Sequence, residues 1–169
     1  TAGNEASAVS DTIVFDNVAP TSNSILIAGG ATTASTSVML HPASTGASHM
    51  KFRNDSGSWS SWHTYDVAKS WTLNNTQGTR TVSVIFKDAA GNEVSAVSDT
   101  IVFDNVAPTS NSISISGGST YTTSTSVTLT LASTGAAYMR FKNDNGSYGS
   151  YEAYATSKSW TLNNTQGTR

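Results

Sequence analysis

Cysteine is absent from this chain of 169 residues, which removes disulfide bridges and thiolate chemistry together. Charge is scarce: only 12% of residues are Asp, Glu, Lys or Arg, about half the usual share. Nine basic residues against eleven acidic ones leave a net charge of −2, so the broad basic surface that a nucleic-acid binder sets against phosphate is missing. No apolar run approaches the roughly 20 residues that span a bilayer as a helix. No segment of helical length carries a 3.6-residue apolar period. Proline occurs three times. What the chain has instead is hydroxyl groups: 53 of 169 residues are Ser or Thr, set among Val, Ile and aromatics. Such residues suit a pleated, half-buried surface, so the composition points to an all-β chain.

The chain repeats itself. GNEASAVSDTIVFDNVAPTSNSI begins at Gly3 and GNEVSAVSDTIVFDNVAPTSNSI at Gly91; MKFRND from Met50 matches MRFKND from Met139; KSWTLNNTQGTR recurs at Lys69 and Lys158. A period near 88 residues is too long for a solenoid turn and right for a small sandwich domain. The seam is VFDNVAPTS, at Val14 and Val102, where Ala-Pro interrupts strand pairing. The expected organisation is therefore residues 1–16 as the last strand of a preceding repeat, residues 17–104 as a complete repeat, and residues 105–169 as a repeat without its last two strands. On this reading the chain is a window on a longer array, which also accounts for the lack of a secretory leader.

Seven strand-like runs fall within the complete repeat: Ser24–Ala28, Thr36–His41, Ser48–Arg53, Trp59–Tyr65, Lys69–Leu73, Thr81–Lys87 and Val94–Phe103. Comparison of the two copies sorts their faces. Val38 and Leu40 match Val127 and Leu129, whereas Met39 and His41 become Thr128 and Thr130. Lys51 and Arg53 remain basic between apolar Met50 and Phe52. This is the period-2 pattern of one buried and one solvated face. The inward set is Ile25, Ile27, Val38, Leu40, Met50, Phe52, Trp71, Leu73, Val82, Val84 and Phe86, with Trp71 and Trp160 expected at the core centres. Seven short alternating strands in under a hundred residues fit an immunoglobulin-like or fibronectin-III-like β-sandwich.

The string FKDAAGNEVSAVSDTIVFDNVAPTS, with MRFKNDNGSYGSYEAY and KSWTL, resembles the tandem immunoglobulin-like repeats of large bacterial surface proteins, adhesins and stalks, across essentially the whole chain. The pattern D-x-A-G-N before the last strand and D-x-x-A-P after it carries the resemblance. It implies an extracellular or cell-surface protein, bacterial or archaeal, that is not an enzyme and whose repeats space or display something.

The side-chain inventory agrees. His41, His49 and His63 are replaced by Thr130, Tyr138 and Glu152 in the second copy, so no base for a nucleophile is maintained. The only glutamates are Glu5, Glu93 and Glu152, the first two at one repeat position, and no facing carboxylate pair is evident. Gly29-Gly30 and Gly117-Gly118 lack the Lys and the helix of a phosphate loop. Two binding readings stay open. Calcium at the domain junction would draw oxygen ligands from Asp16 and Asn17 together with Asp88, Asn92 and Glu93, with Asp104 repeating the position of Asp16. The competing reading gives these residues to loop and turn chemistry. The aromatic run Trp59, Trp62, Tyr65, with Tyr148 and Tyr151 in the second copy, would serve as a glycan-stacking platform. Its competitor is edge packing, because Trp59 and Trp62 differ in strand phase. Asn-x-Ser/Thr triplets at Asn54, Asn74, Asn145 and Asn163 are weak glycosylation signals.

The leading expectation is a structural repeat: a spacer, stalk or filament subunit whose partners are its own neighbours end to end. The alternatives are a glycan-binding adhesin module and an accessory domain of a secreted hydrolase. Head-to-tail exchange, with residues 1–16 of one copy completing the second repeat of another, is a further possibility, disfavoured because one strand cannot replace two.

Overall fold

The computed structural model describes residues 2–168; Thr1 and Arg169, the outer bounds of the expected first and third segments, lie outside the described residues. The chain is all-β and divides into two compact units, Thr1–Asn105 and Val106–Arg169.

Unit 1 contains β1 (Thr21–Ile27), β2 (Thr32–Thr33), β3 (Ser37–Thr45), β4 (His49–Asn54), β5 (His63–Thr64), β6 (Lys69–Thr72), β7 (Gly78–Lys87) and β8 (Val97–Phe103). They form a three-stranded sheet in the order β1-β3-β6 and a five-stranded sheet in the order β2-β8-β7-β4-β5. All pairings are antiparallel except β2 with β8, where Thr32–Thr33 run parallel to Val102–Phe103. Alternation in the sequence becomes alternation in burial. Along β3 the pattern puts Val38, Leu40 and Pro42 inside and Met39 and His41 outside. Ile25, Ile27, Val38 and Leu40 from the first sheet meet Met50, Phe52, Val82, Val84, Phe86 and Ile101 from the second in one core, with Leu73 beside them.

Four details depart from the sequence reading. The strand expected over Trp59–Tyr65 contracts to β5, because residues 55–60 turn back: Gly57 N donates to Asn54 O at 2.9 Å and Ser60 N to Phe52 O at 2.8 Å. β2 was not anticipated, since two residues in a hydroxyl-rich stretch show no alternation. β3 runs through Pro42, a residue with no N–H to give; β6 pairs only with Ser37–Leu40, so Pro42 stands where that side of β3 has no ladder to lose. Trp71 is not at the core centre. It is half-buried against Phe52 (ring centroids 5.4 Å apart), and its Nε1 donates to Asn54 Oδ1 at 2.7 Å. An indole N–H needs an acceptor, and the acceptor lies at the sheet edge. Trp160 repeats this with Phe141 and Asn143.

Residues 2–20 adopt no regular secondary structure. Residues 7–25 and 95–113 are nevertheless the same 19-residue sequence. In β8, Ile101 and Phe103 are 2% and 0% exposed; their counterparts Ile13 and Phe15 are 96% and 86% exposed.

Unit 2 contains β9 (Thr109–Ile115), a single 3₁₀ turn (Ser116–Gly118), β10 (Ser126–Thr134), β11 (Tyr138–Met139), β12 (Glu152–Ala153) and β13 (Ser157–Thr161). It builds the three-stranded sheet in the order β13-β10-β9, and a two-stranded ribbon β11-β12 replaces the larger sheet. Val127 and Leu129 are its buried large hydrophobics among the described residues. Met139 and Phe141 are half-buried where Met50 and Phe52 are fully enclosed, and Ile113 is 59% exposed against 9% for Ile25. Residues 106–168 contain no counterpart of β7 or β8 to cover them.

Candidate functional site

The side chains of β4 alternate strictly. Met50 and Phe52 enter the core, and Lys51 and Arg53 stand on the outer face of the five-stranded sheet. Opposite them on β7, Phe86 and Val84 pair with Met50 and Phe52, so Lys87, Ile85 and Ser83 share the outer face. The turn after β4 folds residues 55–62 back over this face. Asp55 holds it with φ +49°, a conformation Asp tolerates. Its carboxylate accepts from Thr81 N at 3.0 Å and Asn74 Nδ2 at 2.8 Å and pairs with Arg80 Nη1 at 3.3 Å. Gly57 suits this turn, since a Cβ there would lie a tight 3.0 Å from the Asn54 carbonyl oxygen.

The return path brings Trp59 and Trp62 onto one face, despite their different phase in an ideal strand, because this segment leaves strand geometry. Lys51 Nζ lies 4.3 Å from the Trp62 ring centroid and 5.9 Å from that of Trp59. Lys87 Nζ lies 4.3 Å from Trp62, and Arg53 Cζ 4.6 Å from Trp59. These distances are within the range of cation–π attraction. One carboxylate reaches the cluster, with Glu93 Oε2 3.5 Å from Lys51 Nζ. Arg53 Nε is buried without a hydrogen-bond partner.

Tyr65 does not join the two tryptophans. It packs edge-on against Phe86 at 6.1 Å, and its hydroxyl accepts from Ser44 N at 3.2 Å, an inter-sheet clasp. In unit 2 the stacked arrangement recurs with every residue changed: Arg140 Cζ is 4.7 Å from both Tyr148 and Tyr151, and Lys142 Nζ is 5.2 Å from Tyr148. Tyr148 and Tyr151 are 54% and 65% exposed. The pair Lys51/Arg53 was visible in the sequence as basic residues kept in both copies. Lys87 was not, because only the β4–β7 register carries it to Trp62.

The junction residues meet in part. Asp88 and Asn92 form one closed loop: Asp88 Oδ1 accepts from Gly91 N at 2.7 Å and Asn92 N at 2.8 Å, and Oδ2 from Asn92 Nδ2 at 2.8 Å. The Asn92 amide and these backbone donors, outweighing the cost of burial, hold the Asp88 carboxyl below the ordinary carboxylate pKa. Asn92 Nδ2 also reaches the Asp16 carbonyl oxygen at 3.2 Å, so the loop grips the segment ahead of β1. Asp16 Oδ1 accepts from Val18 N at 3.0 Å, Asn17 and Asp104 are exposed, and Glu93 turns to Lys51. Among the described residues no three His, Asp or Glu side chains converge into a set able to hold a metal ion. The Asp88 oxygens are directed at loop N–H groups.

Asn54, one of the glycosylation triplets, is occupied in the Trp71 clasp, where its Nδ2 donates to Thr72 O at 2.8 Å. No known protein-family profile matches the chain, and no curated protein matches it.

Proposed function

We propose that this chain is a tandem immunoglobulin-like repeat segment of an extracellular fibre, stalk or surface adhesin, acting as spacer or filament subunit rather than as an enzyme. The observation that carries the reading is the behaviour of one 19-residue sequence in two places. At 95–113 it supplies the last strand of a closed unit and continues into the first strand of the next; at 7–25 its first half is exposed and outside any strand, and its second half enters β1. One continuous stretch thus ends one bead and begins another, as an array requires. Unit 2 supports the same reading, since its apolar inner face matches the one that β7 and β8 cover in unit 1. The Asn92–Asp16 contact supplies a grip at the start of the bead, and repetition supplies reach.

Residues 69–80 and 158–169 are identical, so a second copy of the sequence of residues 81–104 can be joined after Arg169 without changing the local sequence. The extended chain should bury Met139 and Phe141 as Met50 and Phe52 are buried in unit 1, and show a second cooperative unfolding transition resembling that of unit 1. An extension that stays unstructured while unit 2 keeps its original hydrogen-exchange rates would refute the repeat reading.

A further inference from the structure

We propose that the outer face of the five-stranded sheet in unit 1 binds a carboxylated polysaccharide, a chain of uronic acid sugars. Three cations, Lys51, Arg53 and Lys87, converge there with two tryptophans, and a single carboxylate, Glu93, answers them at 3.5 Å. A local excess of positive charge in a chain of net charge −2 is an unspent electrostatic field. It is matched by a ligand that brings a carboxylate on each sugar ring.

The two tryptophans supply the second half of the recognition. Flat π faces take the C–H face of a pyranose ring, while the neighbouring cations take its carboxylate through charge-assisted hydrogen bonds. The second copy strengthens the argument. Lys51 becomes Arg140, Arg53 becomes Lys142, Trp59 becomes Tyr148 and Trp62 becomes Tyr151, so identity changes at all four positions while cation and aromatic keep their places. Packing alone demands particular shapes; binding demands a class of chemistry. Single-stranded nucleic acid also brings rings and anions, but its rings are planar bases, whereas a pyranose offers its C–H face; a matched oligonucleotide is therefore the competing occupant in the test. The inference concerns one unit and stands or falls apart from the array; in an array, one such face per bead would add avidity.

The test is calorimetric titration of the intact chain with oligogalacturonate, with the fully methyl-esterified oligomer as its neutral twin and with alternating guluronate–mannuronate oligomers as a second uronate. Binding of an acid oligomer should be about tenfold tighter than binding of the ester and should weaken steadily as salt rises from 50 to 500 mM, by the roughly threefold shortening of the Debye length. Arg53→Gln and Lys87→Gln should each weaken it about three- to tenfold with unchanged melting temperature, and Trp62→Phe should retain more of it than Trp62→Ala. Three results overturn the proposal: no binding of either uronate, equal binding of acid and ester, or tighter binding of a single-stranded oligonucleotide of matched length.

Discussion

Replacing isoleucine with alanine at positions 13 and 101 tests the central physical claim with one sequence against itself. Each isoleucine lies within the same 19 identical residues, so local propensity, neighbours and unfolded-state effects are matched. Ile101 is 2% exposed and sits in the core with Val82, Val84 and Phe86; Ile13 is 96% exposed. Removing a buried isoleucine to alanine costs about 2–5 kcal/mol, the transfer term plus the cavity left behind. A unit of this size is stable by roughly 5–10 kcal/mol. Ile101→Ala should therefore remove a large fraction of unit 1's stability and lower its melting point by at least about 10 °C. Ile13→Ala should change it by less than about 0.5 kcal/mol, the usual range for a surface position. The measurement is urea unfolding followed by tryptophan fluorescence in a Trp160→Phe background, which leaves Trp59, Trp62 and Trp71 of unit 1 as reporters. Equal losses at the two positions would refute the argument, because residues 7–15 would then be packed as β8 is. So would no loss at Ile101.

Two further expectations follow from particular contacts. The carboxyl of Asp88 is held below its ordinary value of 3.8 chiefly by the Asn92 side chain, so its contribution is complete above that value and is lost as pH falls through the lower folded value. The unfolding midpoint of unit 1 should drop on acidification below about pH 4, and Asp88→Asn should flatten that part of the profile; an unchanged profile in the variant would remove Asp88 as its source. Asn54→Ala breaks both the Trp71 Nε1 bond and the bond to Thr72 O, and should destabilise unit 1 by about 1–3 kcal/mol. Trp71→Phe loses only the first, and should cost less in the same urea titration.

Much of unit 1 was legible because strand faces are written locally. Val38 and Leu40, Met50 and Phe52, and Val82, Val84 and Phe86 were assigned inward from period-2 alternation and are all buried. Departures fell where hydrogen bonding outside the ladder takes over. The Trp59–Tyr65 segment follows the Asp55 turn and the Ser60–Phe52 bonds instead of strand geometry, and Trp71 moves to the edge to satisfy its N–H. The same departure put Trp59 and Trp62 on one face, which strand phase alone argued against. Lys87 entered that face only through the register of β7 on β4, where it pairs with His49 38 residues away, a relation that no local pattern carries.

What the amino-acid sequence determined by itself was the duplication, the all-β character and which side of each strand is apolar, because these depend on residue type and spacing alone. What tertiary structure decided was whether an apolar strand becomes a strand at all. SAVSDTIVFD is written twice in this chain, and only the copy beside β7 is paired and buried. A β-strand's hydrogen bonds are made to another segment, so its propensity is realised only when that partner is in place and the apolar side has a core to enter.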